Sequence, residues 1–175
     1  KLHRETLGRI YLGSAMTVDA WGPHQRVAFP TRHLAKLTNL PDGDFDAVNH
    51  LGLVHTIFPH VSIAGGHGQD LMVSQLIPGP TPDRSRTIQT HVIAKDATEK
   101  ERAATLERAD FLEWVVNEED YKTGLGIQSA LASGANTEFV FGRNEPGNQM
   151  FHRWVDDLVD GTPVATTPVT TRKAP

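Results

Sequence analysis

The residues best suited to chemistry are an acidic run, Glu118-Glu119-Asp120, which leaves the apolar pair Val115-Val116 near the end of a long helical stretch. Asp120 has the setting of a metal ligand. Gly124 follows one helical turn later and leaves room beside the carboxylate. Gln128 follows two turns later and can hydrogen-bond to a ligand or its neighbours. One carboxylate with two histidines can hold Fe(II) and leave positions open for oxygen. The same three acids also fit a plainer role, an acidic first turn of a helix favoured by its dipole.

The nine histidines are scattered, and none makes the i, i+4 pair of a helical metal site. His50, His55 and His60 are five apart, which on a strand alternates their faces. Most therefore read as structural or surface groups. His24 is better placed as a strand residue than as an iron ligand. His152 and Arg153 read as structural groups held by hydrogen bonding or a salt bridge. With no cysteine, the chain cannot form a disulfide, a thiolate zinc site, a cysteine nucleophile or an iron–sulfur cluster by itself.

These residues need a scaffold, and 175 residues suffice for one domain with a real core. A net charge of −4 with no basic cluster argues against a nucleic-acid or membrane-surface binder. No apolar run approaches the roughly 18 residues of a membrane span. The start, Lys1-Leu2-His3-Arg4-Glu5, reads neither as a signal peptide nor as a natural N-terminus.

Residues 24–31 alternate polar and apolar before a proline and predict a strand. Residues 31–40 predict a short helix, and Pro41-Asp42-Gly43-Asp44 a turn. Strands are expected over 50–58, 61–64, 70–77 and 86–94, antiparallel and joined by Pro/Gly turns. The period then changes. Asp96 followed by Glu99 predicts a capped helix start, and the helix runs to Val116 without Gly or Pro. A second helix is expected over 118–133, stopped by Gly134, and a third over 149–159, with Met150, Phe151, Trp154, Val155 and Leu158 on one side. Strands first and helices after predict an α+β fold, an antiparallel sheet covered by long C-terminal helices. The domain is expected over 1–160, with an extended or disordered tail over 161–175. Residues 1–22 give no clear assignment.

Several short segments, in order, resemble one family. Glu119-Asp120 on a long helix, Gln128 eight residues later, Gly142-Arg143 and Phe151-His152-Arg153-Trp154 are similar to the C-terminal catalytic domain of Rieske-type aromatic-ring-hydroxylating dioxygenase α subunits. The segments Trp21-Gly22-Pro23-His24-Gln25-Arg26 and Ile57-Phe58-Pro59-His60-Val61 resemble two of the family's strand starts. The matches run from about residue 2 to 158.

The resemblance implies a START-like helix-grip fold and a mononuclear Fe(II). Asp120 takes the carboxylate place, and His3 looks like the second histidine of a His-x4-His pair. The first histidine would fall two residues before Lys1. The implied reaction is O2-dependent hydroxylation or cis-dihydroxylation of an apolar, often aromatic, substrate in aromatic-compound catabolism. Electrons would come from a Rieske [2Fe–2S] cluster on a missing upstream domain, supplied by a ferredoxin or reductase, in a cytoplasmic homotrimer. Substrate-binding candidates are Phe111, Val115 and Val116 on the helix and Leu53, Ile57 and Val61 on the strands, with Gln128 supporting the metal. This chain alone is expected to bind iron weakly or incompletely. The alternative is a non-enzymatic, START-like module that binds hydrophobic ligands.

Overall fold

The computed structural model describes residues 16–30, 41, 44, 50–65, 70–135 and 137–161. Six strands form one antiparallel sheet in sequence order: β1 (Thr17–Trp21), β2 (His24–Pro30), β3 (Leu51–Ile57), β4 (Val61–Gly65), β5 (Asp70–Pro78) and β6 (Ser85–Ile93). Every neighbour is the next strand in the chain, so short turns suffice for the connections between β1 and β2, β3 and β4, and β5 and β6.

Two of those turns show why their residues are there. Between β1 and β2, Gly22 takes a positive φ of 56°, a conformation that a side chain resists. Between β5 and β6, the amide of Gly79 donates to the Arg84 carbonyl at 2.8 Å. The approach is so close that a Cβ on Gly79 would sit 2.3 Å from that same oxygen.

The expected strands agree with the observed ones to within a residue or two. β1 falls in the stretch that gave no assignment, because its alternation, Thr-Val-Asp-Ala-Trp, lasts only five residues. The amide of Asp44 donates to Pro41 at 2.9 Å, as the predicted turn requires. The predicted helix over 31–40 and the tail beyond Gly161 lie outside the described residues.

The helical half differs in two places. Helix α1 (Glu99–Val115) starts two residues later than expected. Thr98 is its N-cap, and its hydroxyl accepts from the Glu101 amide at 3.3 Å while Glu101 Oε2 accepts from the Thr98 amide at 2.7 Å. The chain offers the three-residue spacing twice, at Asp96/Glu99 and at Thr98/Glu101. The second closes both legs of the box. Residues 94–97 form a turn instead, with the Ala97 amide donating to Ala94 at 3.1 Å.

The second difference concerns the acidic run. Glu118–Asp120 do not open a new helix. Val116–Tyr121 wind as a π-helix that joins α1 directly to α2 (Lys122–Ala132) without a side-chain cap. The last helix, α3 (Pro146–Val159), begins three residues before the expected start, with proline in its first turn, where the missing N–H costs nothing. Gly134 ends α2 at a positive φ of 71°, as predicted.

The pairings divide the sheet into two faces. Gln25 faces Thr56, Thr56 faces Ser62, Ser62 faces Ser74 and Ser74 faces Gln89, so these share one face. The Gln25 amide of that face reaches α3, and Thr56, Ser74 and Gln89 lie under the π-helix. Along β6 the half-buried residues are Thr87, Gln89, His91 and Ile93, whereas Ile88 and Val92 are exposed. The more apolar of the two alternating sets thus faces away from the helices.

Candidate functional site

Two ties hold α3 on the sheet. Gln25 on β2 is buried and donates through Nε2 to the Gly147 carbonyl in the first turn of α3, at 2.9 Å. Gly147 allows this, since a Cβ there would meet Gln25 Oε1 at 2.6 Å. Farther along α3, the Phe151 ring packs at 5.1 Å from Phe58 in the β3–β4 turn.

Gly142 builds the entry to α3. Its amide donates to Glu145 Oε2 at 2.6 Å, and its carbonyl accepts from Gln149 Nε2 at 2.8 Å. A Cβ would press on Asn144 Oδ1 at 2.6 Å. The Gly-Arg segment is therefore a helix start. His152 is exposed and lies against aromatic rings, Phe141 at 4.7 Å and Phe151 at 5.9 Å, where the sequence suggested a hydrogen bond or salt bridge. The Arg153 Nε donates to the Gln149 carbonyl at 3.3 Å.

The β1–β2 segment is likewise architectural. The Arg26 guanidinium donates to Asp19 Oδ2 at 3.1 and 2.7 Å and lies 5.0 Å from the Trp21 ring centre. His24 Nδ1 accepts from the Phe58 amide at 3.2 Å, fixing the β3–β4 turn. That is a positioning role.

The π-helix sets the chemistry-bearing residues. In an α-helix, a residue five positions on lies about 140° around the axis. In a π-helix, i→i+5 bonding returns that residue to the same face. Val116, Asp120 and Tyr121 accordingly line one cavity together, of about 370 Å³, whose sheet wall includes Thr56, Met72 and Leu76. Asp120 also lines a second cavity of about 720 Å³, with Gly124 and Gln128 on the helix side and Arg84 in the β5–β6 hairpin. Asp120 is exposed and stands where the two meet. The neighbouring Glu118 pairs with Lys122 at 3.0 Å, an exposed i, i+4 bridge of little energetic weight.

Of the residues expected at the site, Asp120, Val116, Val61 and Gln128 line these cavities, and Gly124 sits beside Asp120 as its spacing suggested. Val115 is buried, one position before the lining residue Val116. Phe111 is 40% exposed and stacks on Trp114 at 6.2 Å. Leu53 and Ile57 do not line either cavity. By the strand register they share the opposite face of the sheet from Thr56. His3 lies outside the described residues.

Sequence reasoning missed the sheet floor: Met72, Ser74, Leu76, Thr87 and Gln89. The signal was present in β6, where the two alternating sets were visible. Hydrophobicity favours the set that faces away from the helices.

A metal must be held by at least three donors converging on a point. Among the described residues, no group of three His, Cys, Asp or Glu side chains does so. No helix among the described residues is long and apolar enough to cross a membrane.

A six-stranded antiparallel sheet thus carries an exposed carboxylate, Asp120, beside a partly apolar cavity. Residues 1–161 match the ring hydroxylating alpha subunit (catalytic domain), so this chain belongs to that family. No curated protein and no solved structure matches the chain.

Proposed function

We propose that this chain is the iron- and substrate-binding portion of a Rieske non-heme iron ring-hydroxylating oxygenase, with its domain over residues 1–160 and a START-like helix-grip architecture. Membership of the family supports this class. The observation that carries the site assignment is the place of Asp120: the aspartate of the Glu-Asp pair lines a cavity walled by Val116, Leu76, Met72 and Val61.

The donor chemistry is consistent with Fe(II). Asp120 gives the carboxylate, His3 one imidazole, and a histidine upstream of Lys1 the other. When bound, the iron supplies the activation of O2 with electrons from a Rieske [2Fe–2S] cluster outside this sequence, charged by a ferredoxin or reductase. The residues of this chain do the rest. The carboxylate of Asp120 contributes negative charge that favours a divalent cation. Val116 and the apolar sheet residues bind and orient a small aromatic substrate and displace water from around it. Gln128, on the same lobe as Asp120, is the proposed hydrogen-bonding support. The product is a hydroxylated or cis-dihydroxylated ring. A cytoplasmic homotrimer completes the proposal.

The test is the complete protein prepared with Fe(II). Stoichiometric iron, and incorporation of labelled oxygen from O2 into toluene or naphthalene, are expected. Iron-free protein that still binds these hydrocarbons would overturn the assignment. That result would favour the second reading, a hydrophobe-binding module, which the exposure of Asp120 alone would also suit.

A further inference from the structure

The β2–β3 ladder ends at Gln25 and Thr56, and β3 itself at Ile57. The Phe58 amide lies just past that end, so its donor needs another partner. His24 supplies it, accepting through Nδ1 at 3.2 Å. A neutral imidazole accepts at one nitrogen and donates from the other, which puts the proton on Nε2. His24 is the first residue of β2 and pairs with Trp21 across the Gly22 turn. The β1–β2 hairpin thus delivers an imidazole to a turn 34 positions on.

That turn is connected on two further sides. The Phe58 ring packs 5.1 Å from Phe151 of α3. The His60 carbonyl accepts from the Leu76 amide at 2.8 Å, one bond beyond the Val61–Gln75 pair of the β4–β5 ladder. Pro59, His60 and Val61 line the cavity of about 370 Å³ together with Asp120. Leu76 lines it too, and also the hairpin lobe, the cavity of about 720 Å³ under the β5–β6 hairpin. Two backbone amides, Phe58 to His24 and Leu76 to His60, therefore hold the turn, and part of the cavity wall lies between them.

We propose that His24 is a positioning residue for the ligand cavity. Its Nδ1 fixes the β3–β4 turn, and the turn fixes the wall that Pro59, His60, Val61 and Leu76 present beside Asp120. His24 lines neither cavity, so its effect passes through the Phe58 amide. Phe58 is half-buried, and without the imidazole its amide regains a partner only by turning toward water, carrying Pro59 and His60 with it. The proposal rests on the reading of this cavity as the ligand site, but not on the chemistry at Asp120.

The experiment compares the complete protein with His24→Ala, His24→Asn and Thr98→Ala. Amide hydrogen exchange at Phe58 and Leu76, followed by mass spectrometry, reads the two bonds. Equilibrium binding of toluene reads the cavity. In His24→Ala, both amides are expected to exchange about fivefold faster and toluene to bind about fivefold more weakly, the ratio one neutral hydrogen bond carries. His24→Asn keeps an acceptor where Nδ1 stands and is expected to return both readings to within about twofold of the parent. Thr98→Ala loosens the cap of α1 without touching the turn, and is expected to leave toluene affinity at the parent's value.

A Leu76 amide as protected in His24→Ala as in the parent overturns the proposal, because the effect then stops at Phe58. So does a toluene affinity that His24→Ala leaves unchanged, or that His24→Asn fails to restore. If His24→Ala does not fold, His24→Gln, whose oxygen reaches to the Nε2 position, must weaken toluene binding for the proposal to stand. Iron content and labelled-oxygen incorporation in the parent report separately. Protein that binds toluene without oxygenating it removes the oxygenase assignment, while the role of His24 stands or falls on exchange and affinity.

Discussion

Gln25 and Gly147 are 122 positions apart in the chain, and the Gln25 side chain donates to the Gly147 carbonyl at 2.9 Å. This bond joins the second strand to the last helix, and Gln25 is one of only a few buried polar residues among those described.

Replacing Gln25 with alanine removes this tie and opens space beneath α3. The expected loss is about 1–2 kcal/mol, from the hydrogen bond and the packing of the aliphatic stem. At the size of this chain that corresponds to a fall in Tm of roughly 2–4 °C per kcal/mol. Thermal or urea unfolding checks it, and an unchanged midpoint would show that α3 is held by its other contacts.

The cap of α1 is a second point of local control. Thr98→Ala removes both the hydroxyl acceptor for the Glu101 amide and the hydroxyl donor to Glu101 Oε2. A cost of about 1 kcal/mol is expected. Asp96→Ala, at the start suggested by the sequence alone, is expected to change stability by less than half of that. The two unfolding midpoints compared side by side decide which residue caps the helix.

Gly79 tolerates no side chain, because a Cβ would lie 2.3 Å from the Arg84 carbonyl oxygen and 2.8 Å from its carbon. These are backbone atoms of a closed turn and cannot swing aside. Gly79→Ala is expected to cost about 1–3 kcal/mol, within the ordinary range for overpacking. Because Arg84 lines the hairpin lobe, ligand affinity there should change as well. A variant as stable as the parent would show that the turn is free to reshape.

Asp120→Asn keeps the shape of the side chain and removes its charge. The residue is exposed, so the stability change is expected to stay within about 0.5 kcal/mol. Bound iron should fall well below stoichiometric, by metal analysis of the complete protein. Full iron retention with unaltered turnover would remove Asp120 from the donor set.

The strands were legible because their turns are marked by Pro and Gly and because β2 and β6 alternate. The face assignment of the apolar residues was less so. Ile57 and Leu53 are the more hydrophobic neighbours of Thr56, yet Thr56 is the residue that lines the cavity. In a sheet with helices on one side, hydrophobicity identifies that a face is covered only if the other face is polar. Here Ile88 and Val92 are 39% and 49% exposed on the face away from the helices. Asp120, Val116, Val61 and Gln128, singled out from spacing and family resemblance, line the two cavities, whereas Tyr121, which lines both, was not singled out. An α-helical period places Tyr121 well around from Val116, and nothing in Val-Asn-Glu-Glu-Asp-Tyr announces the wider winding.

That wider turn has a consequence for heredity as much as for shape. A π segment carries one residue more per turn than its α-helical equivalent, so it is a place where a helix can absorb the gain or loss of a single codon without breaking. Losing one of Asn117, Glu118 or Glu119 would let the segment close into ordinary α winding and leave Lys122 to Ala132 on nearly their present face of the helix. Gln128 and Leu125 would stay at the hairpin lobe, and the change would fall on the segment itself, where Asp120 would stand three positions from Val116 instead of four. A one-codon edit here would be nearly silent to a measure of secondary structure and would be felt at the carboxylate.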